Sequence, residues 1–121
     1  MSEQLLDLLE AHGVAAKEAA ERLGGNCALY LRVLRRFTED RSCALLCEAA
    51  VCADAHKGLL YSHTLKGIAA NLGFSRLSEL TQAQCGLFRS GDTQEAFALT
   101  GDIEAECSRL TALLEEVNGQ S

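Results

Sequence analysis

The sequence predicts an all-α fold, an antiparallel four-helix bundle with additional short helices at its N-terminal end. Three observations carry that expectation. Ala and Leu dominate a chain that is 48% hydrophobic yet only 5% aromatic, with no Pro and no Trp. That balance suits helices packed through small and branched aliphatic side chains, whereas strands draw on more Val, Ile, Thr and Tyr. Apolar residues also recur at helical spacing, and the connections between apolar segments are short, which makes sequential neighbours antiparallel. At 121 residues the chain suits one domain, residues 1–121, with its own core. There is no internal repeat, low-complexity tract or long linker.

The elements follow in order. "SEQLLDLLEAH" reads as a short amphipathic helix ended by Gly13, forming an N-terminal extension over residues 1–13. "AAKEAAERLGG" is a second, stopped by the Gly24-Gly25 pair. Asn26 caps a third, "CALYLRVLRRFTED", in which Leu29, Val33 and Phe37 recur at helical spacing. "SCALLCEAAVCA" follows, with Ser42 as its cap. Asp54 opens the helix that contains "YSHTLKGIAANLG", residues 61–73, and Gly73 closes it. Ser75 opens another, running to Ser90-Gly91. The last helix spans Asp92 to about Asn118, with a seam of Ala96, Thr100, Ile103, Cys107, Leu110, Leu114 and Val117. That stepping packs one stripe into a bundle, and Gly101 weakens the helix without breaking the stripe.

Composition excludes several function classes. A formal net charge of −6 argues against nucleic-acid binding, which needs a basic face to release counterions. No apolar run approaches a membrane span, and "MSEQLLDLLEAHG" lacks the basic start and cleavage site of a signal peptide. The expectation is a soluble cytoplasmic protein. Six cysteines stand at positions 27, 43, 47, 52, 85 and 107. Cys43 and Cys47, four apart, share a helix face, but no second Cys or His pair completes a four-ligand metal set. The sequence reading is therefore reduced packing cysteines and no metal.

The helix around His63 raises a question of chemistry. With about 100° of turn per residue, Tyr61, Leu65, Ile68 and Leu72 fall opposite His63 and form the expected core stripe, so His63 faces solvent. His56 and Ala70 lie near its direction, Leu59 and Gly67 are its neighbours one turn either way, and Lys66 follows at i+3. A helix-interior Gly costs about 1 kcal/mol relative to Ala, which close approach of another surface can offset. A neutral imidazole, with a reference pKa of about 6.5, has a free nitrogen lone pair near pH 7. Such a nitrogen can attack phosphorus and hold a phosphoryl group as a phosphoramidate. A lysine one turn away stabilises the product's charge, and a bare surface at Gly67 and Ala70 admits a partner's reactive group. The bland reading is a solvated His–Lys pair, which is common on helix surfaces. His56 and His63, two turns apart, are too far for i, i+4 metal chelation.

"HTLKGIAANLG" resembles the signature of histidine-containing phosphotransfer domains, the helical intermediates of multistep phosphorelays. "ERLGGNCALYLRVLRRFTED" and "RSGD" are similar to segments flanking that signature, and the resemblance spans roughly residues 15–117. It implies that His63 accepts a phosphoryl group through Nε2 from a receiver-domain aspartyl phosphate and passes it reversibly to another receiver. It also implies that Lys66 stabilises the phosphoryl charge and that Gly67 permits receiver docking. Relatives place an amide or carboxylate from the next helix near the imidazole. Gln84, on a stripe with Leu77, Leu80 and Phe88, is the residue for that role, with Gln82 and Cys85 close in register. The implied partners are response-regulator receiver domains and a hybrid sensor histidine kinase.

Two departures stand out. Leu59 and Leu60 replace residues that are small or polar in many relatives. They form a docking patch with His56, Gly67 and Ala70, or the short N-terminal helices cover them. The Gly common before Asp54 is Ala53 here, which touches a turn. The chain has no glycine-rich phosphate loop and no acidic pocket for magnesium. It is therefore expected to be a carrier without kinase activity, with magnesium supplied by the receiver and no cofactor of its own. Docking of two acidic surfaces should rest on apolar contact. Two other functions compete: an adaptor that binds receivers or kinases without carrying phosphate, and the phosphoacceptor domain of a chemotaxis-type kinase. Intact His63, Lys66 and Gly67 count against the first; a chain ending at Ser121 without a kinase domain counts against the second, which stays open for a segment of a larger protein. The initial Met and polar tail favour a complete small protein, and a monomer needs no special explanation.

Overall fold

The computed structural model of the chain describes residues 2–120. The elements are α1 (Ser2–Ala11), α2 (Ala16–Arg22), α3 (Cys27–Phe37), α4 (Ser42–Val51), α5 (Ala55–Leu72), α6 (Ser75–Arg89), α7 (Thr93–Ala98) and α8 (Thr100–Gln120). Among the described residues the fold is all-α, without a strand; one isolated antiparallel bridge joins Val14 to Phe74. No helix of the described residues is long and apolar enough to cross a membrane.

α5 packs between α4 and α6, and α8 lies against both α4 and α6. The core between them holds Leu46, Leu65, Leu77, Ile103, Leu110 and Leu114, all fully buried. α1, α2 and α3 extend this core with Leu9, Val14, Tyr30 and Leu34. Helix starts follow side-chain chemistry. Asn26 Oδ1 accepts from the Leu29 amide at 2.9 Å, and Asp54 Oδ1 accepts from the Lys57 amide at 3.0 Å, each satisfying an N–H that lacks an intrahelical partner.

The short N-terminal helices are tied to the C-terminal end of α5. Gly73 ends α5 at φ +82, a left-handed conformation that suits glycine. Its carbonyl accepts from the Ala15 amide at 2.8 Å. A Cβ on Gly73 would sit 2.5 Å from Ala15 O. Tyr30 buries its ring and donates its hydroxyl to Leu72 O at 2.7 Å, and Arg22 Nη2 donates to Ala70 O at 2.7 Å. Phe37 meets Phe74 edge-on, ring centroids 5.0 Å apart. These bonds satisfy carbonyls at the end of α5 that would otherwise lack partners.

Four details differ from the sequence expectation. In α3 the buried stripe is Tyr30, Leu34 and Phe37, while Leu29 and Val33 are half-buried; the Tyr30 hydroxyl reaches a carbonyl, so its ring can go inside. Ser42 is the first helical residue of α4 and does not cap it; Asp40 Oδ1 accepts from the Ser42 amide at 2.8 Å instead. The stripe of α5 centres on Gly58, Ser62, Leu65, Ala69 and Leu72, with Tyr61 and Ile68 half-buried on its flank. The last helix is broken at Leu99 into α7 and α8. The break lies where the Gln84 side chain enters the ladder, its Nε2 donating to Ala96 O at 2.9 Å and to Thr100 Oγ1 at 3.2 Å. The seam survives the break: all seven residues from Ala96 to Val117 named above are buried.

Candidate functional site

The site is built where α5 and α6 approach closely. Their seam is made of small and polar groups. Ser62 is fully buried; its Oγ donates to Thr81 O at 3.4 Å and accepts from Cys85 Sγ at 3.4 Å. Gly58 faces Phe88 and Phe97, which meet edge-on at 5.0 Å; a Cβ there would lie 2.6 Å from Phe88 Cζ. The missing side chain thus lets α6 and α7 lie against the first half of α5.

Beside this seam on the surface of α5, His63 is exposed. It lines a hollow of ≈ 290 Å³ with His56, Leu59, Leu60 and Arg89, the last from the final turn of α6. Leu59 is half-buried and Leu60 is 52% exposed, one of two large hydrophobic side chains that the described residues leave strongly exposed. No carboxylate lines the hollow among the described residues. Two imidazoles and a guanidinium thus line one hollow with two leucines, on a chain whose net charge is −6. Lys66 is half-buried one turn beyond His63, and Gly67 and Ala70 are exposed. A Cβ on Gly67 would meet nothing within 4 Å.

His56, Leu59, Leu60 and His63 are thus brought together in one hollow, with Lys66 and Gly67 continuing the same face. The N-terminal helices anchor at Ala70–Phe74, at the other end of α5, and leave Leu60 open. Ala70 lies at that boundary, since its carbonyl is bonded to Arg22. Gln84 is fully buried and its amide nitrogen serves the α7–α8 junction, away from the role at the imidazole that the resemblance implies. Its Oε1 has no hydrogen-bond partner.

Sequence reasoning missed Arg89 and Gly58. The signal for Arg89 was register. Two antiparallel helices joined through Gly73 and Phe74 pair Ser62 with the Thr81–Cys85 turn, which carries Arg89 level with His56. Gly58 gave no signal, because the aromatic rings that need the space lie 30 and 39 residues later in the chain (88 − 58 and 97 − 58).

No protein-family model, curated protein or solved structure matches the chain.

Proposed function

We propose that this chain is a histidine phosphotransfer protein of a two-component phosphorelay. His63 Nε2 attacks the phosphorus of a receiver aspartyl phosphate; an N–P bond forms, the P–O bond to the aspartate breaks, and the carboxylate leaves. The reverse step on a second receiver discharges the histidine. Lys66 stabilises the phosphoryl charge, and Arg89 adds a second cation beside the imidazole. His56, Leu59, Leu60, Gly67 and Ala70 form the docking face, and the receiver brings magnesium. The proposed partners are response-regulator receivers and a hybrid sensor kinase, in the cytoplasm, with a monomeric carrier that has no kinase activity of its own. The scaffold under this reading is a four-helix bundle of α4, α5, α6 and α8, supported by the packing of α5 between α4 and α6 and of α8 against α4 and α6.

One observation carries the reading. The exposed His63 stands on an apolar and cationic hollow beside a glycine that the chain's own packing does not require. The test is to incubate the protein and its His63→Gln variant with a phosphorylated receiver and magnesium. The expected result is an acid-labile, base-stable phosphoryl adduct on the wild type alone. Binding without an adduct on either protein would replace this reading with the non-transferring adaptor.

A further inference from the structure

A second cluster lies on another face of the molecule, in a groove of ≈ 600 Å³ between α4 and α8. Cys43 and Cys47 line it from α4, and Cys107 and Glu104 line it from α8. All three cysteines are free thiols. Cys43 and Cys107 thus enter one groove from opposite helices, and Cys47 Sγ donates to Glu104 Oε2 at 3.1 Å. Among the described residues no set of three His, Cys, Asp or Glu side chains is arranged to hold a metal ion. The cluster is therefore read by its thiol chemistry.

We propose that Cys43 and Cys107 are a reversible redox pair, oxidised by hydroperoxides to a disulfide that staples α4 to α8. The Cys43 thiolate attacks a peroxide oxygen; the O–O bond breaks, water or an alcohol leaves, and Cys43 becomes a sulfenic acid. The Cys107 sulfur then attacks the Cys43 sulfur. An S–S bond forms, the S–O bond breaks, and the hydroxyl departs as water with the Cys107 proton. Two thiols and one hydroperoxide give one disulfide, one water, and a second water or the alcohol. A dithiol reverses it by exchange.

The roles follow from the surroundings. The hydrogen bond from Cys107 holds the Cys43 thiol below its usual range, against the opposing effect of burial, and Cys47 adds to it. The same bond, with burial, pushes Cys107 upward, and burial with the bond to Glu104 pushes Cys47 up to about 12. Cys43 is half-buried where Cys107 is buried, so a peroxide entering the groove meets Cys43 first, and its lowered range favours the thiolate, the form that reacts. Cys107 is the thiol that resolves the Cys43 sulfenic acid, and Cys47 is not. Side chains four apart on a helix hold their Cβ atoms about 5–6 Å apart, beyond the roughly 3.5–4.5 Å that a disulfide needs. The proposal stands apart from the phosphoryl reading and needs no partner protein.

The full chain, reduced and freed of reductant, is treated with about one equivalent of hydrogen peroxide, digested without reduction, and mapped by fragment-ion mass spectrometry. The expected product is an intramolecular Cys43–Cys107 link, reversed by dithiothreitol. It should raise Tm by about 5–10 °C, because it closes a long loop. In Cys107→Ser, a Cys43 sulfenic acid should persist and be trapped by dimedone; in Cys43→Ser, both the link and the trapping should vanish. Preferential oxidation of exposed Cys52, links only between molecules, or a link from Cys47 in place of Cys43 would overturn the proposal. The wild-type map alone decides if either variant fails to fold.

Discussion

Gly58 and Gly67 lie nine residues apart on α5 (67 − 58), and the molecule treats them in opposite ways. At Gly58 the chain's own aromatic rings fill the place of a side chain, with Phe88 Cζ 2.6 Å from a would-be Cβ and Phe97 ring carbons at 3.0 Å. At Gly67 that place is open, and nothing lies within 4 Å. Both positions bear the helix penalty of glycine, about 1 kcal/mol against alanine. Folding explains the first glycine. It does not explain the second, which stands beside His63 on the face the N-terminal helices leave uncovered. The lesson is that an intramolecular contact accounts for a helix glycine only where it can be found. Where none exists, folding leaves the glycine unexplained, as it does for Gly86 in α6 and Gly101 in α8, and it is the place beside His63 that singles out Gly67.

Substitutions sharpen that contrast. The largest effect is expected at the far end of α5, where internal demand is strictest. Gly73→Ala forces a left-handed conformation on a residue with a Cβ that would meet the Ala15 carbonyl oxygen at 2.5 Å. A loss of about 3 kcal/mol is expected, read as a lower urea midpoint. Gly58→Ala should cost about 1–2 kcal/mol, since the rings of Phe88 and Phe97 must shift while the helix gains propensity. A neutral or stabilised Gly58→Ala protein would erase the difference between the two glycines. The smallest effect belongs to the turn before α5. Among the described residues, Ala53 is the non-glycine residue with positive φ, at +53. Ala53→Gly should relieve it and stabilise by up to about 1 kcal/mol, offset in part by the freer unfolded chain.

Most of the fold was legible because helix ends and seams are local. Asn26, Asp54, Gly13, the Gly24-Gly25 pair and Gly73 act within a few residues of themselves, and the structure places helix boundaries at each. The seam from Ala96 to Val117 was equally legible, because burial follows a period that one helix can display. What escaped was tertiary. Gln84 breaks the last helix by reaching Ala96 and Thr100 from another helix, a contact that no local pattern encodes. Cys107 lines the same groove as Cys43 from 64 residues away (107 − 43), so a scan for paired ligand spacing saw only Cys43 and Cys47. The face of α5 divides the same way. His63, Lys66 and Gly67 could be placed outward from a helical wheel, whereas Arg89 joined them only through the pairing of α5 with α6.

The comparison between the two glycines comes down to one paired measurement. Gly67→Gln should fold as well as the wild type or better, since its side chain enters open space and the helix gains propensity. Its rate of phosphoryl uptake from a phosphorylated receiver should fall at least about tenfold, the loss expected from an obstructed docking face. The expected result is that loss at an unchanged or raised Tm. Uptake at the wild-type rate in a folded Gly67→Gln protein would contradict it, because the bare surface beside His63 would then serve no partner.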